Sequence, residues 1–411
     1  MNLPRIRDSA TGDAGLLSGR QTLNTILDQA LSSASNLVMT LTAAHFLAPE
    51  TFGKVAAGTA LIFVFVAVQR AAIGEPLLVL VVSAERRMQL EAAGTKLAVL
   101  LSLATAATCA ALSRVLPYSG LLLALAFGGA AIVFQDFLRY VAMTRKRAHV
   151  AVVSDSVWLI EQVLAFAAFH YGVLVPSAEI VVLLWGLGAL FGTVAVIPRL
   201  RVGTLGRIRH WFEELRGYSL WSAAQVAGVN LVSQATIFAL AGITGFDDVG
   251  GLRAMSTLLQ PIGLILAAMI PVLAPRLAAI RHLRAKFLRS VAASSIQLSL
   301  ITIVVGGFIV VFGKPLVGVV FGPDYIRFAD MLDMLALAYL LQAAGIPVGA
   351  GLRAKNAGRS LFTTQLSCSV IGMVAVVVLA GQIGIAGAAV GMVLQSTTWL
   401  LAATRSLGRG D

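Results

Sequence analysis

Twelve apolar segments, each about as long as a membrane-crossing helix, run through the 411-residue sequence. A hydrocarbon core ~30 Å thick needs ~20 apolar residues per helix, and a helix satisfies its own backbone hydrogen bonds in lipid. The segments cover residues 22–46, 53–82, 96–115, 120–143, 150–170, 178–198, 219–243, 252–275, 291–312, 331–352, 359–380 and 383–403. Charged residues make up 12% of the chain, against ~25% in soluble domains. The pattern predicts an all-α integral membrane protein with twelve transmembrane helices.

Arginine and lysine are concentrated in the connections on one side of these segments. Clusters such as Arg86-Arg87, Arg145-Lys146-Arg147 and the arginines of residues 199–216 alternate with short connections that carry few positive charges. Positively charged connections favour the cytoplasmic side of a membrane. We therefore expect a multi-pass protein of the bacterial inner (plasma) membrane with both termini in the cytoplasm. The net charge of +12 then reflects topology, and no nucleic-acid partner is expected.

Two segments with a polar stripe divide the chain into similar halves. Each is followed by a short connection with an acid and a glycine, which aligns Gly53 with Gly250 about half a chain length later. Lipid cannot satisfy a polar face, so these stripes must meet protein or water. The stripes consist of Asp28, Ser32, Asn36 and Thr40 in the first half, and of Ser222, Gln225, Asn230, Ser233, Gln234 and Thr236 in the second. The predicted organisation is a cytoplasmic tail (1–20), a six-helix bundle (21–198), a cytoplasmic amphipathic linker (199–218), a second six-helix bundle (219–403) and a cytoplasmic tail (404–411).

Three further features shape the predicted bundles. The linker has apolar residues at helical spacing, including Trp211 and Phe212, and we interpret it either as a helix on the membrane surface or as a simple topological anchor. The longest connection on the opposite side, residues 313–330, is predicted to be a loop. Pro76 and Pro261 lie inside predicted helices, where the missing N–H should kink them.

Enzyme signatures are absent from the sequence. There is no P-loop, the five histidines are dispersed, and no long connection could house a globular active site. Cys109 and Cys368 lie in apolar segments without metal-ligand or redox spacing, and we interpret them as packing residues. We therefore expect no catalytic residue, no metal and no cofactor, and we predict that the protein is not an enzyme.

Ionisable residues inside the segments are candidates for function, because each costs roughly 2.5–3.5 kcal/mol at the bilayer centre. Arg70 is predicted to face a cavity, with a pair to Glu161 or Glu75 as the alternative; Glu75, five residues on, is poorly placed for it. Arg253 is predicted to meet an anionic group in the cavity or to snorkel to the interface.

The sequence allows more than one role for each acid inside the apolar segments. Asp155 and Glu161 are predicted either to take up a coupling ion or to pair with Arg70 or Arg139. Asp136 and Arg139, three residues apart, are predicted to form a structural pair. Asp28 on the first polar stripe is predicted to gate, to bind a cation or to pair with a loop arginine. We group Asp28, Glu75, Asp155 and Glu161 as candidates for ion coupling or gating.

Several short motifs resemble those of one transporter superfamily. They are Leu27-Asp28-Gln29-Ala30-Leu31-Ser32-Ser33 with Phe52-Gly53, Leu138-Arg139-Tyr140 through Ser154-Asp155, Gly251-Leu252-Arg253-Ala254 leading to Pro261 and Ala274-Pro275-Arg276, and Gly351-Leu352-Arg353-Ala354. Over about residues 20 to 405 the chain resembles the polysaccharide-transport (Wzx-like) branch of the MOP superfamily, which also includes MATE exporters and lipid II flippases.

The resemblance implies a fold, a function and partners. The fold is two six-helix bundles around a central cavity. The function is a flippase that moves a polyprenyl-diphosphate-linked oligosaccharide across the inner membrane by alternating access, for surface polysaccharide biosynthesis. The implied partners are that lipid-linked saccharide, membrane lipids, a coupling H⁺ or Na⁺, and the polysaccharide polymerase and export machinery.

Cavity residues follow from the same resemblance. Lipid flippases of the superfamily carry cavity-facing cations on helices one, two and eight; here Arg70 and Arg253 lie on helices two and eight, while helix one carries Asp28 instead. Sugar partners are expected from the polar stripes, namely Ser32, Asn36, Gln225, Asn230 and Gln234. The alternatives are a MATE-like, cation-coupled exporter of drugs or other small molecules, whose cavity should be acidic, and a non-transporting scaffold.

Overall fold

The described part of the chain is helical and contains no strand. The computed structural model describes residues 19–79, 83–200, 206–355 and 358–408. The helices are α1 (Gly19–Phe46), α2 (Pro49–Gln69), a π-helix (Arg70–Gly74), α3 (Glu75–Val79), α4 (Ala84–Leu112), α5 (Ser119–Thr144), α6 (Ala148–His170), α7 (Ala178–Leu200), α8 (Ile208–Thr244), α9 (Phe246–Leu258), α10 (Gln260–Ala279), α11 (Arg284–Val311), α12 (Gly313–Val320), a 3-10 helix (Pro323–Met331), α13 (Leu332–Ala354), α14 (Gly358–Ile383) and α15 (Ile385–Gly408).

These helices are consistent with the predicted membrane passes. Within the described residues, ten helical stretches are long and apolar enough to cross a membrane. Adding α1 and α8, whose apolar part is Gly228–Thr244, gives twelve passes. The all-helical membrane fold is therefore confirmed.

Helix breaks coincide with two of the prolines that the sequence placed inside helices. The second pass widens into the π-helix Arg70–Gly74 directly before Pro76. The eighth pass breaks at Leu259, and α10 begins with Pro261 in its first turn. A proline supplies no N–H to the preceding turn, so the backbone opens or stops there. The π-helix places Arg70 at an irregular turn inside a transmembrane pass.

Glycines bring the helices of the first half into close contact. A Cβ on Gly186 of α7 would lie 2.2 Å from the Cα of Gly128 on α5. A Cβ on Gly192 would lie 2.8 Å from the carbonyl oxygen of Ser154 on α6. Small residues at such crossings let backbones approach, which strengthens van der Waals contact where lipid supplies no hydrophobic drive. The α5–α7 and α6–α7 contacts make the first half a tight bundle.

Two predicted connections differ in the structure. Residues 208–218, expected in a surface linker, form the first turns of α8, which continues unbroken into the seventh pass. Trp211 on these turns is 3% exposed and packs in the apolar cluster that contains Ile73 and Phe137. The Trp211 ring is therefore buried against helices of the first half and not in the membrane surface. The predicted loop 313–330 is also helical, folding into α12 and the 3-10 helix.

The two halves meet at the end of the bundle opposite the termini, called the far end below. There the first turns of α2 and α9 touch: a Cβ on Gly53 would lie 1.7 Å from the carbonyl oxygen of Phe246, and one on Gly250 would lie 2.0 Å from that of Pro49. Only glycine permits this approach. The two glycines aligned by sequence thus form the contact between the halves.

Candidate functional site

A cavity of about 510 Å³ lies in the second half of the chain. Its described lining comes from α8, α9, α13, α14 and α15. α8 contributes one face, which includes Ser233, Thr236 and Leu240. Glycines 345 and 349 of α13 leave room beside the Trp399 ring, which faces the same space.

The cavity lining is cationic and rich in hydrogen-bonding groups. Its two charged residues are Arg253 and Arg353, and no aspartate or glutamate lies among the described lining residues. Hydroxyl and amide groups line the rest of its polar surface: Ser233, Thr236, Ser256, Tyr339, Gln342, Gln365, Ser369, Gln395 and Ser396. Gln342 Nε2 lies 3.5 Å from Ser396 Oγ across this space. Such a lining suits a ligand with both negative charge and hydroxyl groups.

Arg253 reaches the cavity because its neighbours on α9 are packed. Leu252 and Ala254 are 6% and 0% exposed, while Arg253 itself is half-buried. No carboxylate of the described residues forms an ion pair with its guanidinium. A half-buried cation without a counter-charge attracts an anion strongly, because low polarity around it weakens screening. Arg253 thus lines this cavity, and its role toward an anion stays a prediction.

Arg70 lies in the first half and holds an aspartate. Its Nε and Nη2 donate to the two carboxylate oxygens of Asp136 on α5, at 2.9 and 2.7 Å. The expected partners Glu161 and Glu75 do not occupy that position, because α5 packs beside the π-helix and presents Asp136 there. The Arg70 side chain is 39% exposed, so part of the guanidinium remains open. Its role toward a ligand stays a prediction.

A second arginine extends this pair into a buried network. Arg139 lies 3.2 Å from Asp136 and 3.1 Å from Asp155 of α6, which confirms the predicted Asp136–Arg139 pair. Gln135 Nε2 donates to Asp155 Oδ1 at 2.8 Å. Two arginines and two aspartates balance in charge, so the network offsets the cost of burying each ion. Asp155, a candidate for ion coupling, is engaged here by Arg139.

The first polar stripe also contacts other helices of its own half. Ser32 Oγ accepts a hydrogen bond from Arg139 Nη1 at 3.0 Å. Asn36 Oδ1 accepts one from Trp185 Nε1 of α7 at 3.2 Å, and its Nδ2 donates to the Ser32 carbonyl at 2.9 Å. These bonds join α1 to α5 and α7. The predicted sugar contacts of Ser32 and Asn36 stay predictions.

The second stripe is divided between the cavity and its surroundings. Ser233 and Thr236 line the cavity, whereas Asn230 and Gln234, which we predicted as cavity residues, are outside its described lining. The side chains of Gln225 and Asp28 lie outside the part of the structure that is described. Arg353 and Gln395 also line the cavity. The sequence analysis did not predict them as cavity residues, because their segments show no polar stripe. The repeated tetrapeptide Gly-Leu-Arg-Ala was the one signal that could have pointed to Arg353.

Glu161 and Glu75 lie in the first half, away from this lining. Glu161 is half-buried between α6 and α7, and a Cβ on Gly188 would lie 2.5 Å from its Oε2. It accepts a hydrogen bond from Gln162 Nε2, and no described lysine or arginine forms an ion pair with it. Glu75 is half-buried at the first residue of α3. Glu161 is therefore a membrane-embedded acid without a described cationic partner.

Side chains of both halves reinforce the far-end contact. Tyr325 Oη donates to the Leu47 carbonyl at 3.0 Å, and His45 Nδ1 donates to the Val320 carbonyl at 2.8 Å. Within the second half, Arg327 Nη2 binds both carboxylate oxygens of Asp247 at 2.6 Å. Burial and the neighbouring Asp247 carboxylate together raise the pKa of Asp248. The bundle is thus closed at its far end by contacts between the halves.

Comparisons with known structures identify the fold. The chain matches no protein-family model and no curated protein sequence. It is similar to an inward-facing multidrug resistance MATE family transporter of the MOP superfamily (TM-score 0.68, 15% identity, 94% of this chain and 97% of that chain). It is also similar to the lipid II flippase MurJ in an inward closed conformation (TM-score 0.71, 15% identity, 94% of this chain and 87% of that chain).

A third similar structure is a MOP superfamily transporter from Pyrococcus furiosus, described as having a binding pocket of reverse polarity (TM-score 0.61, 14% identity, 95% of this chain and 94% of that chain). All three are membrane transporters of one architecture. At such identities the likeness shows the fold alone, so the chain is a multi-pass membrane protein that shares the helical fold of these three structures.

Proposed function

We propose that the protein is a flippase for a polyprenyl-diphosphate-linked oligosaccharide in the bacterial inner membrane. The observation that carries the proposal is the cavity of the second half, with two arginines and no carboxylate in its described lining. A diphosphate cannot enter hydrocarbon without compensation of its charge. Guanidinium groups supply that compensation with directional hydrogen bonds.

The rest of the head group fits the rest of the lining. Sugar hydroxyls need hydrogen-bond partners, which the serines, threonine and glutamines of the cavity offer. A volume of about 510 Å³ lies within the range of ~300–1,000 Å³ typical of small-molecule sites. In this proposal the space holds the diphosphate and its first sugars. The polyprenyl tail stays in the lipid.

The substrate crosses the membrane by alternating access in this proposal. The halves are in contact at the far end through Gly53, Gly250 and Tyr325. With both termini in the cytoplasm, as the positive charges predict, this conformation is closed toward the outside. Rocking of one half against the other would break the far-end contacts and close the opposite end. The substrate is then released into the outer leaflet, where the polymerase and export machinery would consume it.

In this proposal, the residue that takes up the coupling ion lies in the first half. Glu161 lacks a described cationic partner, so a proton or Na⁺ is the simplest counter-charge for it. The membrane potential acts on such a charge with roughly 2.3 kcal/mol per 100 mV. Asp28 and Glu75 remain further candidates for gating, while Asp155 serves the ion-pair network that also holds Arg139.

A cation-coupled exporter of small molecules is the second candidate function. The acid Glu161 in the first half favours it, and so does the equal likeness to a MATE transporter. The two functions differ in the charge of the cargo. An exporter of cationic compounds would leave Arg253 without a partner in the transport cycle, whereas a diphosphate-lipid flippase requires that arginine.

The test uses cells deleted for the gene and measures which leaflet holds the lipid-linked saccharide. An outside-added glycosidase or lectin reports the outer leaflet. We expect wild-type protein to restore outer-leaflet exposure, Arg253→Gln to fail, and Arg405→Gln, an exposed arginine outside the cavity lining, to succeed at equal expression. Normal exposure in the deletion strain would overturn the flippase proposal, and cation extrusion would then be measured.

A further inference from the structure

We infer that Arg353 is the loading group of the cavity: it binds the incoming diphosphate first and passes it to Arg253. The inference rests on the proposed function, in that both take the cavity as the binding site of an anion. It adds an order of events and a role for a residue that sequence reasoning treated as a topological charge.

The sequence Gly-Leu-Arg-Ala occurs at residues 251–254 and again at residues 351–354. In both copies the flanking residues are packed. Leu252 and Leu352 are 6% and 1% exposed, and Ala254 and Ala354 are 0% and 4% exposed. The leucine and alanine fix the rotation of each helix, and the arginine is left to face the cavity, which both arginines line.

Each glycine of the repeat makes this packing possible. A Cβ on Gly251 would lie 2.4 Å from the Phe328 ring, and one on Gly351 would lie 3.2 Å from Leu407 Cδ1. The missing side chains let α9 and α13 sit close to those neighbours. Two separate helices thus present an arginine to one cavity by the same local arrangement.

The two arginines lie at different depths. α9 begins at the far end with Phe246, and Arg253 is two turns into it. α13 runs from the far end toward the termini, and Arg353 is its penultimate residue. At 1.5 Å of rise per residue, the two positions are separated along the helix axes by on the order of 20 Å. The two arginines therefore mark two levels of one cavity, which an anion that enters from the end of the termini would reach one after the other.

Arg353 is the one that an entering anion meets first. Its side chain is exposed, whereas Arg253 is half-buried. Neighbouring cations at this end are engaged with helix ends: Lys355 Nζ donates to the Leu407 carbonyl at 3.0 Å, and Arg281 Nη1 donates to the Ala354 carbonyl at 3.4 Å. Arg353 makes no such bond within the described residues. It lies at the end of the cavity lining that is nearest the termini.

The electrostatic consequence separates the two roles. A charge at the rim of a site mainly accelerates association, and its effect falls with ionic strength. A cation deep in the site mainly slows dissociation. Arg353→Gln is therefore expected to lower the association rate constant, and Arg253→Gln to raise the dissociation rate constant.

The experiment measures diphosphate binding to the purified full-length protein by stopped-flow tryptophan fluorescence. Trp399 lines the cavity and reports occupancy, and Trp399→Phe verifies the source of the signal. The probes are inorganic diphosphate and farnesyl diphosphate, which separate recognition of the anion from recognition of the lipid. The variants are Arg353→Gln, Arg353→Lys, Arg253→Gln and the control Arg405→Gln, each at low and high salt.

We expect Arg353→Gln to slow association about tenfold at low salt, as loss of one charge-assisted contact allows, with little change in dissociation. Arg353→Lys should restore most of the rate, which excludes misfolding as the cause. Unchanged association in Arg353→Gln, with normal binding by the wild type, would overturn the loading role and leave the proposed function standing. Failure of the wild type to bind either diphosphate would overturn both.

Discussion

At the scale of single residues, the first half depends on a balanced set of buried charges. Asp136 receives two hydrogen bonds from Arg70 and lies 3.2 Å from Arg139, whose side chain is 5% exposed. Removing one partner of a buried pair leaves a charge without compensation, which costs more than the pair contributes. The network joins α1, the π-helix, α5 and α6, so its loss affects four elements together.

Asp136→Asn tests this balance. The variant leaves Arg70 and Arg139 with one aspartate between them, and we expect it to lower the free energy of unfolding by about 3–5 kcal/mol. Chemical denaturation in detergent micelles measures the change. Glu50→Gln is the matched control, because Glu50 pairs with Lys54 at the surface and is 63% exposed; its effect should stay within about 1 kcal/mol. Equal effects of the two variants would contradict the argument.

At the scale of elements, the start of α8 packs on the first half instead of lying on the lipid surface. Trp211 is buried beside Ile73 and Phe137, and a Cβ added to Gly94 would lie 3.3 Å from its ring. The adjacent Phe212 is 52% exposed. α8 therefore belongs to both halves: its first turns pack with the first, and its later turns line the cavity of the second.

Neighbouring alanine substitutions distinguish this packing from a membrane-surface helix. Trp211→Ala removes a buried ring and should cost about 3–5 kcal/mol of unfolding free energy. Phe212→Ala removes an exposed ring and should cost far less. The two variants are compared by thermal unfolding in the same detergent. A helix that lies on the membrane surface would instead give similar unfolding free energies for the two variants.

A second feature at the scale of elements is the glycine pair at the far end, Gly53 and Gly250. Gly53→Ala introduces a Cβ 1.7 Å from the Phe246 carbonyl oxygen, which opposes the close approach of the halves at the far end. The equilibrium constant between the closed and the far-end-open conformation should therefore shift at least about tenfold toward the open one. An impermeant maleimide measures this shift on Phe52→Cys, a position 1% exposed when closed, with both native cysteines replaced. Gly242→Ala is the control, because nothing lies within 4 Å of its Cβ. Unchanged labelling by Gly53→Ala would contradict the closure.

At the scale of the whole molecule, function requires the halves to separate at the far end. A covalent link across that contact, between His45→Cys and Val320→Cys, should abolish outer-leaflet exposure of the saccharide, and reductant should restore it. The matched control links Asp247→Cys to Arg327→Cys, two positions within the second half whose native side chains form an ion pair. Rocking of rigid halves leaves that control active. Loss of activity in the control, or activity of the linked halves, would contradict rigid-body alternating access.

The sequence by itself determined that the chain forms membrane-spanning helices, and it predicted twelve of them in two halves. Apolar segments of membrane length leave helices as the only way to satisfy the backbone, and the charge-poor composition excludes a soluble fold. The alignment also paired Gly53 with Gly250, and the structure shows that these two positions touch. These features are local or periodic, so they can be read along the chain.

The tertiary structure alone decided which charges on different helices pair within the described residues. Arg70 lies 66 residues from its partner Asp136, and only the packing of α5 beside the π-helix joins them. The same holds for the cavity. Arg253 and Arg353 line one cavity because α9 and α13 have similar rotations about their own axes, although they pack against different neighbours. Pairing between distant helices depends on which faces they present to each other, and a single sequence does not encode that choice in any local pattern.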